Sequence, residues 1–286
     1  MSRNKDRLGN SKPESDSLPP QTLQQNESQP FSFVIPTEFV ELPSGGRFYP
    51  EGHPLHGQDN IEIKQMTAKE EDMLTSRTLL KKGVALDRVL DSVIMNKAIN
   101  VDNLLVGDKN AIIISTRVSG YGSDYTTNIT CPNCTANQEY TFDLNDANVY
   151  GGSDSDEDIS LTFNEDGTFT TRLPRTNLNV SFRLLTGADE KSILAQMENA
   201  RKRKRPEQNI TLQLRSMITD VENNDTSEAI NYLIDNIPSI DARHLRLAYK
   251  IASPNIDLTQ HFNCSECGHE QEMEVPLTAD FFWPDR

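Results

Sequence analysis

Two short stretches, NITCPNCTANQEYTFDL at 128–144 and QHFNCSECGHEQEMEVPL at 260–277, share one pattern. In each, two cysteines separated by two residues are followed by alternating apolar residues. Two Cys-x-x-Cys turns that face each other supply four thiolates, which is the ligand set of a closed tetrahedral zinc site. The sequence therefore predicts one structural zinc ion, and its ligands are all the cysteines of the chain: Cys131, Cys134, Cys264 and Cys267.

The two stretches also match in register. Apolar residues lie six, eight and ten positions after the second cysteine of each: Tyr140, Phe142 and Leu144, and Met273, Val275 and Leu277. Alternation of period two is typical of a strand, so each half is predicted as strand, turn, strand, and the pair as a zinc ribbon. A thioredoxin-like pair would instead open a helix, and disulfides are typical of secreted chains. Four thiolates leave no open position for a catalytic water, and the flanking His261 and His269 are expected at the surface.

The predicted fold class is α+β, with the zinc ribbon clamping a β-hairpin and a helical insertion between its halves. Residues 1–30 contain almost no apolar side chains, so they cannot bury enough surface to offset the entropy lost on ordering. The predicted ranges, in chain order, are a disordered N-terminal arm at 1–30, an α+β region at 31–127, the first knuckle at 128–145, an acidic loop at 146–160, a β-rich segment at 161–185, the helical insertion at 186–252, and the second knuckle with a C-terminal strand at 253–286.

Local signals place several elements inside these ranges. Thr67 and Glu70 have capping-box spacing at the start of a helix predicted to end near Gly83. The stretch from Asp108 to Gly120 is predicted as a helix in spite of three successive isoleucines, and a hairpin is expected around Asp166-Gly167. Further helices are predicted from Thr186 through Met197 and at 210–221, 227–237 and 239–252.

Composition narrows the classes of function. The net charge is −15 and no apolar run approaches the length of a membrane span, so binding to a membrane or to nucleic acid is not expected. The basic cluster RKRKR at 201–205 has two interpretations, a phosphate-binding or nuclear-signal patch, or cations that complement a helix C-terminus before Pro206; the second is favoured. The chain has no phosphate loop, nucleophile elbow or HExxH motif, which predicts a protein that is not an enzyme and has no small-molecule substrate.

Several phrases of the chain, taken in order, carry a family resemblance: FVELPSGGRFYPEGHPL at 39–55, the stretch from IEIKQM to DRVLDSVI at 61–94, LLVGDKNAIIISTRVSGYGSDYTTNITCPNC at 104–134 and FTTRLPRTNLNVSFRLLTGADE at 169–190. Over about 31–285 the chain resembles the baseplate protein family of T-even-type contractile-tailed phages, whose members are described as hub subunits or hub assembly proteins. The resemblance implies a non-enzymatic structural or assembly protein whose partners are other phage tail proteins. It would act in the host cytoplasm during assembly and be either retained in the virion tail or released.

Under this interpretation, aromatic residues near the two ends of the ordered chain are candidate partner contacts, since aromatic side chains anchor interfaces. Packing inside the chain's own core is the alternative for each of them: Phe48, Tyr49, Phe281, Phe282 and Trp283. A second hypothesis is a nucleic-acid-binding or transcription-related zinc ribbon that uses RKRKR and the knuckle tips. The knuckle stretches CPNCTANQ and CSECGHEQ contain no lysine or arginine, which argues against it.

Overall fold

The computed structural model describes residues 35–152, 155–156, 159–206, 208–276 and 279–282. The arm predicted at 1–30 lies outside these residues. The mixture of helices and short strands confirms the predicted α+β class. The helices of the described ranges are α1 (Ala68–Thr75), α2 (Arg77–Lys82), α3 (Ala85–Val93), α4 (Val106–Tyr121), α5 (Gly187–Lys202), α6 (Asn209–Met217), α7 (Ser227–Asn236) and α8 (Ser239–Ala252).

The strands are short and pair only in antiparallel ladders within the described ranges. In chain order they are β1 (Thr37–Glu41), β2 (Asn60–Lys64), β3 (Asp124–Thr130), β4 (Asn137–Asp143), β5 (Asn148–Tyr150), β6 (Ser155–Asp156), β7 (Ile159–Ser160), β8 (Thr162–Phe163), β9 (Phe169–Arg172), β10 (Asn179–Phe182), β11 (Ile218–Val221), β12 (Asn255–Asp257), β13 (Thr259–Asn263) and β14 (Glu270–Glu274).

The first helical segment begins as predicted but is divided. The Glu70 carboxylate accepts a hydrogen bond of 2.9 Å from the Thr67 N–H, which confirms the capping arrangement at the start of α1. Ser76 leaves the helical conformation with ψ at 109°, so the single helix predicted here is two helices, α1 and α2. Gly83 ends α2 with φ at 67°, a left-handed conformation that glycine adopts without strain.

Helix α4 is the central helix of the fold and confirms the helical prediction for Asp108 to Gly120. Its three isoleucines, Ile112 to Ile114, are all buried, and β1 and β12 pack against it. Gly107 allows β12 to approach closely, since a Cβ there would lie 1.9 Å from the Pro254 carbonyl oxygen. Burial on several sides therefore outweighs the strand propensity of the isoleucines. The helix extends beyond both predicted ends, so Asp108 and Gly120 lie inside it.

A four-stranded sheet with the order β11-β10-β9-β8 forms the largest sheet of the described residues. The turn between β8 and β9 lies at Asp166-Gly167, as predicted. The helix predicted at 210–221 ends at Met217, because the next four residues form β11 and pair with β10 (Val180 opposite Val221). Within the range expected as an acidic loop, β5 pairs with β12, with Val149 opposite Ile256.

No helix among the described residues is both long enough and apolar enough to cross a membrane.

Candidate metal centre

Each Cys-x-x-Cys turn joins two strands of a hairpin, β3–β4 in the first half and β13–β14 in the second. The turns are closed by equivalent main-chain hydrogen bonds: Cys131 N–H donates to Ala136 O at 2.8 Å, and Cys264 N–H donates to His269 O at 2.9 Å. The fourth residue after the first cysteine is left-handed in both turns, Thr135 with φ at 60° and Gly268 with φ at 65°. The strand, turn, strand prediction is therefore confirmed for both halves.

The four sulfurs meet in one cluster, in which all ligand atoms lie within 4.8 Å of one another. The Sγ atoms of Cys131 and Cys267 are 3.8 Å apart, and those of Cys134 and Cys264 are 3.7 Å apart. A tetrahedral site with zinc–sulfur bonds of about 2.3 Å has sulfur–sulfur edges of about 3.8 Å, whereas a disulfide bond is about 2.05 Å long. The cysteines are free, and their spacing fits a tetrahedral cation.

Each hairpin contributes one inner and one outer sulfur ligand. Cys131 and Cys264 are buried, whereas Cys134 and Cys267 lie nearer the surface. Among the described residues, no histidine or carboxylate joins the cluster. His261 is exposed beside Glu270 and Glu272 on its own hairpin, as expected of a surface histidine.

The local electrostatics favour thiolates at two of the four positions. The His269 N–H, followed by the Asn133 side chain, lowers the pKa of Cys267 to about 6. The N–H of Cys134 is the main cause of the lowered pKa of Cys131. The Ala136 N–H also lowers the pKa of Cys134, but hydrogen bonds shared with the other sulfurs outweigh this and raise it to about 12. Close thiolates repel one another, so a bound cation would stabilise the full set.

Polar side chains join the two hairpins outside the sulfur cluster. Gln138 donates to Asn263 O at 3.3 Å and accepts from the N–H and hydroxyl of Ser265, both at 3.0 Å. Gln260 donates to Asp143 O at 2.6 Å. Sequence reasoning missed both glutamines, because glutamine on an exposed strand carries no motif; the only signal was their position four residues from a cysteine.

The ring of Tyr140 also bridges the hairpins. Its hydroxyl donates to His261 O at 3.0 Å, and its ring centroid lies 5.1 Å from that of Phe262. Packing and hydrogen bonds therefore join the two hairpins beside the sulfur cluster.

The aromatic residues predicted as partner contacts make contacts inside the chain. Phe48 is partly buried against Phe163 and Phe169, with centroids 5.3 Å and 5.5 Å away. The other described members are buried: Tyr49, Phe281 and Phe282. Trp283 lies outside the described residues. These contacts agree with the alternative in which the aromatic residues pack inside the chain's own core. Binding of partner proteins at these positions stays a prediction.

The basic cluster at 201–205 lies at the C-terminal end of α5, and all five side chains are exposed. Lys202 pairs with Glu198 on the same helix at 2.8 Å. Cations at a helix C-terminus complement its dipole, which is the interpretation favoured from the sequence.

The chain folds as an α+β scaffold in which two hairpins that are distant in the sequence meet at a four-cysteine cluster. Comparison with protein families shows which family the chain belongs to. The chain belongs to the family described as T4 bacteriophage base plate protein, which it matches over residues 35–283. This confirms the resemblance to baseplate proteins of T-even-type phages. Searches of curated proteins and of solved structures found no significant match. The matched range includes both hairpins and all four cysteines.

Proposed function

We propose that the chain is a non-enzymatic structural or assembly component of the central hub of the baseplate. It acts through protein–protein contacts on a scaffold joined by one zinc ion. Membership of the baseplate family is the observation that supports this function. The hub position follows from the resemblance of the phrases quoted above to hub subunits and hub assembly proteins.

The zinc ion is proposed from the donor set. Four thiolates with sulfur–sulfur edges of 3.7 Å and 3.8 Å match the size and softness of zinc and leave no position for a substrate. The ion would hold Cys131 beside Cys267, which are 136 positions apart. It would therefore act as a structural staple between the two ends of the insertion.

The proposed partners are other baseplate and tail proteins, met in the host cytoplasm during assembly and, if the chain is retained, in the virion tail. Large exposed apolar side chains, such as Phe39 at 72% and Tyr232 at 73% exposure, support contacts with proteins. The net charge of −15 and the absence of cations from both knuckle stretches favour protein partners over nucleic acid.

Quantitative mass spectrometry and cross-linking of purified mature particles test this function. A hub component is expected at a fixed integer copy number relative to known tail proteins, with cross-links to proteins on the tail axis. Abundance in infected cells together with absence from particles would identify a transient assembly factor. Cross-links confined to the baseplate periphery would overturn the hub position.

A further inference from the structure

The strand β1 has one open edge. In the described part of the chain it pairs with β2 alone. Leu42 N–H donates to Asp59 O at 2.8 Å, and Gln65 N–H donates to Pro36 O at 3.0 Å, which fixes the phase of the ladder. Bonded and non-bonded pairs alternate along an antiparallel ladder. The odd-numbered residues of β1 therefore direct their N–H and C=O groups away from β2: Thr37, Phe39 and Glu41.

A depression lies beside this edge. Two adjoining cavities of about 250 Å³ and 700 Å³ share Glu41 and Val149 in their linings. Residues of α4, among them Ile114, form part of the wall of the smaller cavity. Phe39 is 72% exposed and Val149 is 45% exposed, so an apolar surface remains uncovered next to unpaired main-chain groups. Such an edge is the usual site of strand addition.

The depression is also acidic. Glu38 and Glu41 line the smaller cavity, and Asp59 lines the larger one. The Oε1 atom of Glu38 is buried and has no hydrogen-bond partner among the residues described. Arg47, a cation in the lining, donates instead to the main-chain oxygens of Ser44 and Gly151. A buried carboxylate oxygen without a partner is costly, and a cation from outside would satisfy it.

We propose that the open edge of β1 binds, as an added strand, an extended segment of another protein in which apolar residues alternate with lysine or arginine. Alternate side chains of a strand point to opposite faces. The apolar set then packs on Phe39 and Val149, and a basic side chain on the other face reaches Glu38. The proposal deepens the proposed assembly role and rests on that role for the identification of the partner as a tail protein. The depression beside β1 does not depend on the proposed zinc site.

The direct test uses the full-length chain and a fluorescein-labelled ten-residue peptide of alternating valine and lysine. Fluorescence anisotropy at physiological salt measures the affinity, and amide hydrogen exchange locates the contact. We expect saturable binding that slows exchange at Thr37, Phe39 and Glu41. A valine–glutamate peptide is the matched control and is expected not to bind, because it places carboxylates beside Glu38.

Single-residue variants distinguish binding at the edge of β1 from a general attraction of the basic peptide to an acidic protein. Glu38→Gln is expected to weaken the valine–lysine peptide by about fivefold, the scale of one partly exposed ion pair. Glu62→Gln removes the same charge from the neighbouring strand, where Glu62 lies opposite Phe39, and is expected to leave affinity unchanged. Phe39→Pro removes an outward N–H without removing a ladder bond to β2, and is expected to weaken binding by about tenfold.

If Phe39→Pro lowers the melting temperature, Phe39→Lys replaces it, since it keeps the N–H and repels the peptide's lysines. Equal losses in Glu38→Gln and Glu62→Gln would overturn the proposal. So would slow exchange at the three amides without peptide, which would mean that residues 1–34 of the same chain already cover the edge. Protection that grows with protein concentration would assign the edge to a second copy instead. None of these outcomes bears on the family assignment or on the proposed hub role.

Discussion

The hydroxyl of Tyr49 donates a hydrogen bond of 2.8 Å to the carboxylate of Asp108, 59 positions further along the chain. The same carboxylate accepts from the N–H of Ser44 at 2.9 Å and from its hydroxyl at 2.6 Å. Tyr49 also accepts a hydrogen bond of 3.1 Å from the N–H of Leu105, just before α4. These buried hydrogen bonds join the loop after β1 to the first turn of α4. Burial raises the pKa of both Asp108 and Tyr49.

Tyr49→Phe is expected to lower the free energy of unfolding by about 1–3 kcal/mol, because it leaves the buried Leu105 N–H and one Asp108 oxygen with fewer partners. Urea unfolding followed by circular dichroism measures this change. Tyr232→Phe is the control, since Tyr232 is 73% exposed, and is expected to have little effect. A Tyr49→Phe protein as stable as the wild type, but impaired in baseplate assembly, would instead support the partner-contact prediction for Tyr49.

Cys131→Ser is expected to abolish the binding of one zinc ion per chain and the cooperative thermal transition, because the buried sulfur is lost from a closed four-ligand site. Elemental analysis of the purified protein and a melting curve measure the two effects. His261→Ala is the matched control near the same site, and it is expected to keep both the metal and the transition. Wild-type protein purified without metal, with a melting curve insensitive to added zinc, would contradict the zinc assignment.

Glu70 is expected to make the fold sensitive to acid. Burial of its side chain raises its pKa, but hydrogen bonds from Lys64, Ser92 and Thr67 outweigh this and lower the pKa from 4.5 to about 2. The unfolded chain therefore binds this proton more readily, so the stabilisation is present above pH 4.5 and is lost as the pH falls toward 2.

The size of this effect follows from the shift, which corresponds to about 3 kcal/mol at most. The measurement is the difference in unfolding free energy between wild type and Glu70→Gln from pH 7 to pH 2. Loss of a bound metal in acid affects both proteins, so the difference isolates Glu70. We expect it to shrink between pH 4.5 and pH 2, and a constant difference would count against the assignment.

Gly107→Ala is expected to destabilise the fold by about 3 kcal/mol or more, because the new Cβ would lie 1.9 Å from the Pro254 main-chain oxygen and force α4 away from β12. Gly120→Ala on the same helix is the control. Its Cβ would meet the flexible end of Met66 at 2.3 Å, a side chain that can move. Urea unfolding measures the stability of both variants. Equal losses of unfolding free energy would show that Gly107 and Pro254 approach less tightly than described.

The sequence carries enough local information to predict the two hairpins that bear the cysteines. Cysteine spacing sets the turns, and the alternation that follows Cys134 and Cys267 sets strands β4 and β14. The helix over Asp108 to Gly120 was also predicted, but it extends past both residues, from Val106 to Tyr121. These features depend on residues within a few positions of one another.

Pairing between distant segments was not predictable in the same way. Ile218–Val221 continues an apparent helical pattern, and only its partner strand β10 makes it extended. The pairing of Val149 with Ile256 joins segments more than 100 positions apart. The break at Ser76 carries neither proline nor glycine. Each depends on which surfaces the folded chain brings together, and a window of neighbouring residues does not contain that information.

The contact between the two hairpins also affects what happens when the backbone is cut. The exposed residues 201–205 lie between the first and second pairs of cysteines. A protease that cleaves there produces two fragments, each holding two of the four sulfur ligands, and β10 of one fragment still pairs with β11 of the other. With the proposed zinc ion bound, the severed chain is therefore expected to migrate as one particle, and a chelator would remove one of the links between its fragments. In a virion exposed to proteases, a nick after α5 would leave the subunit in place.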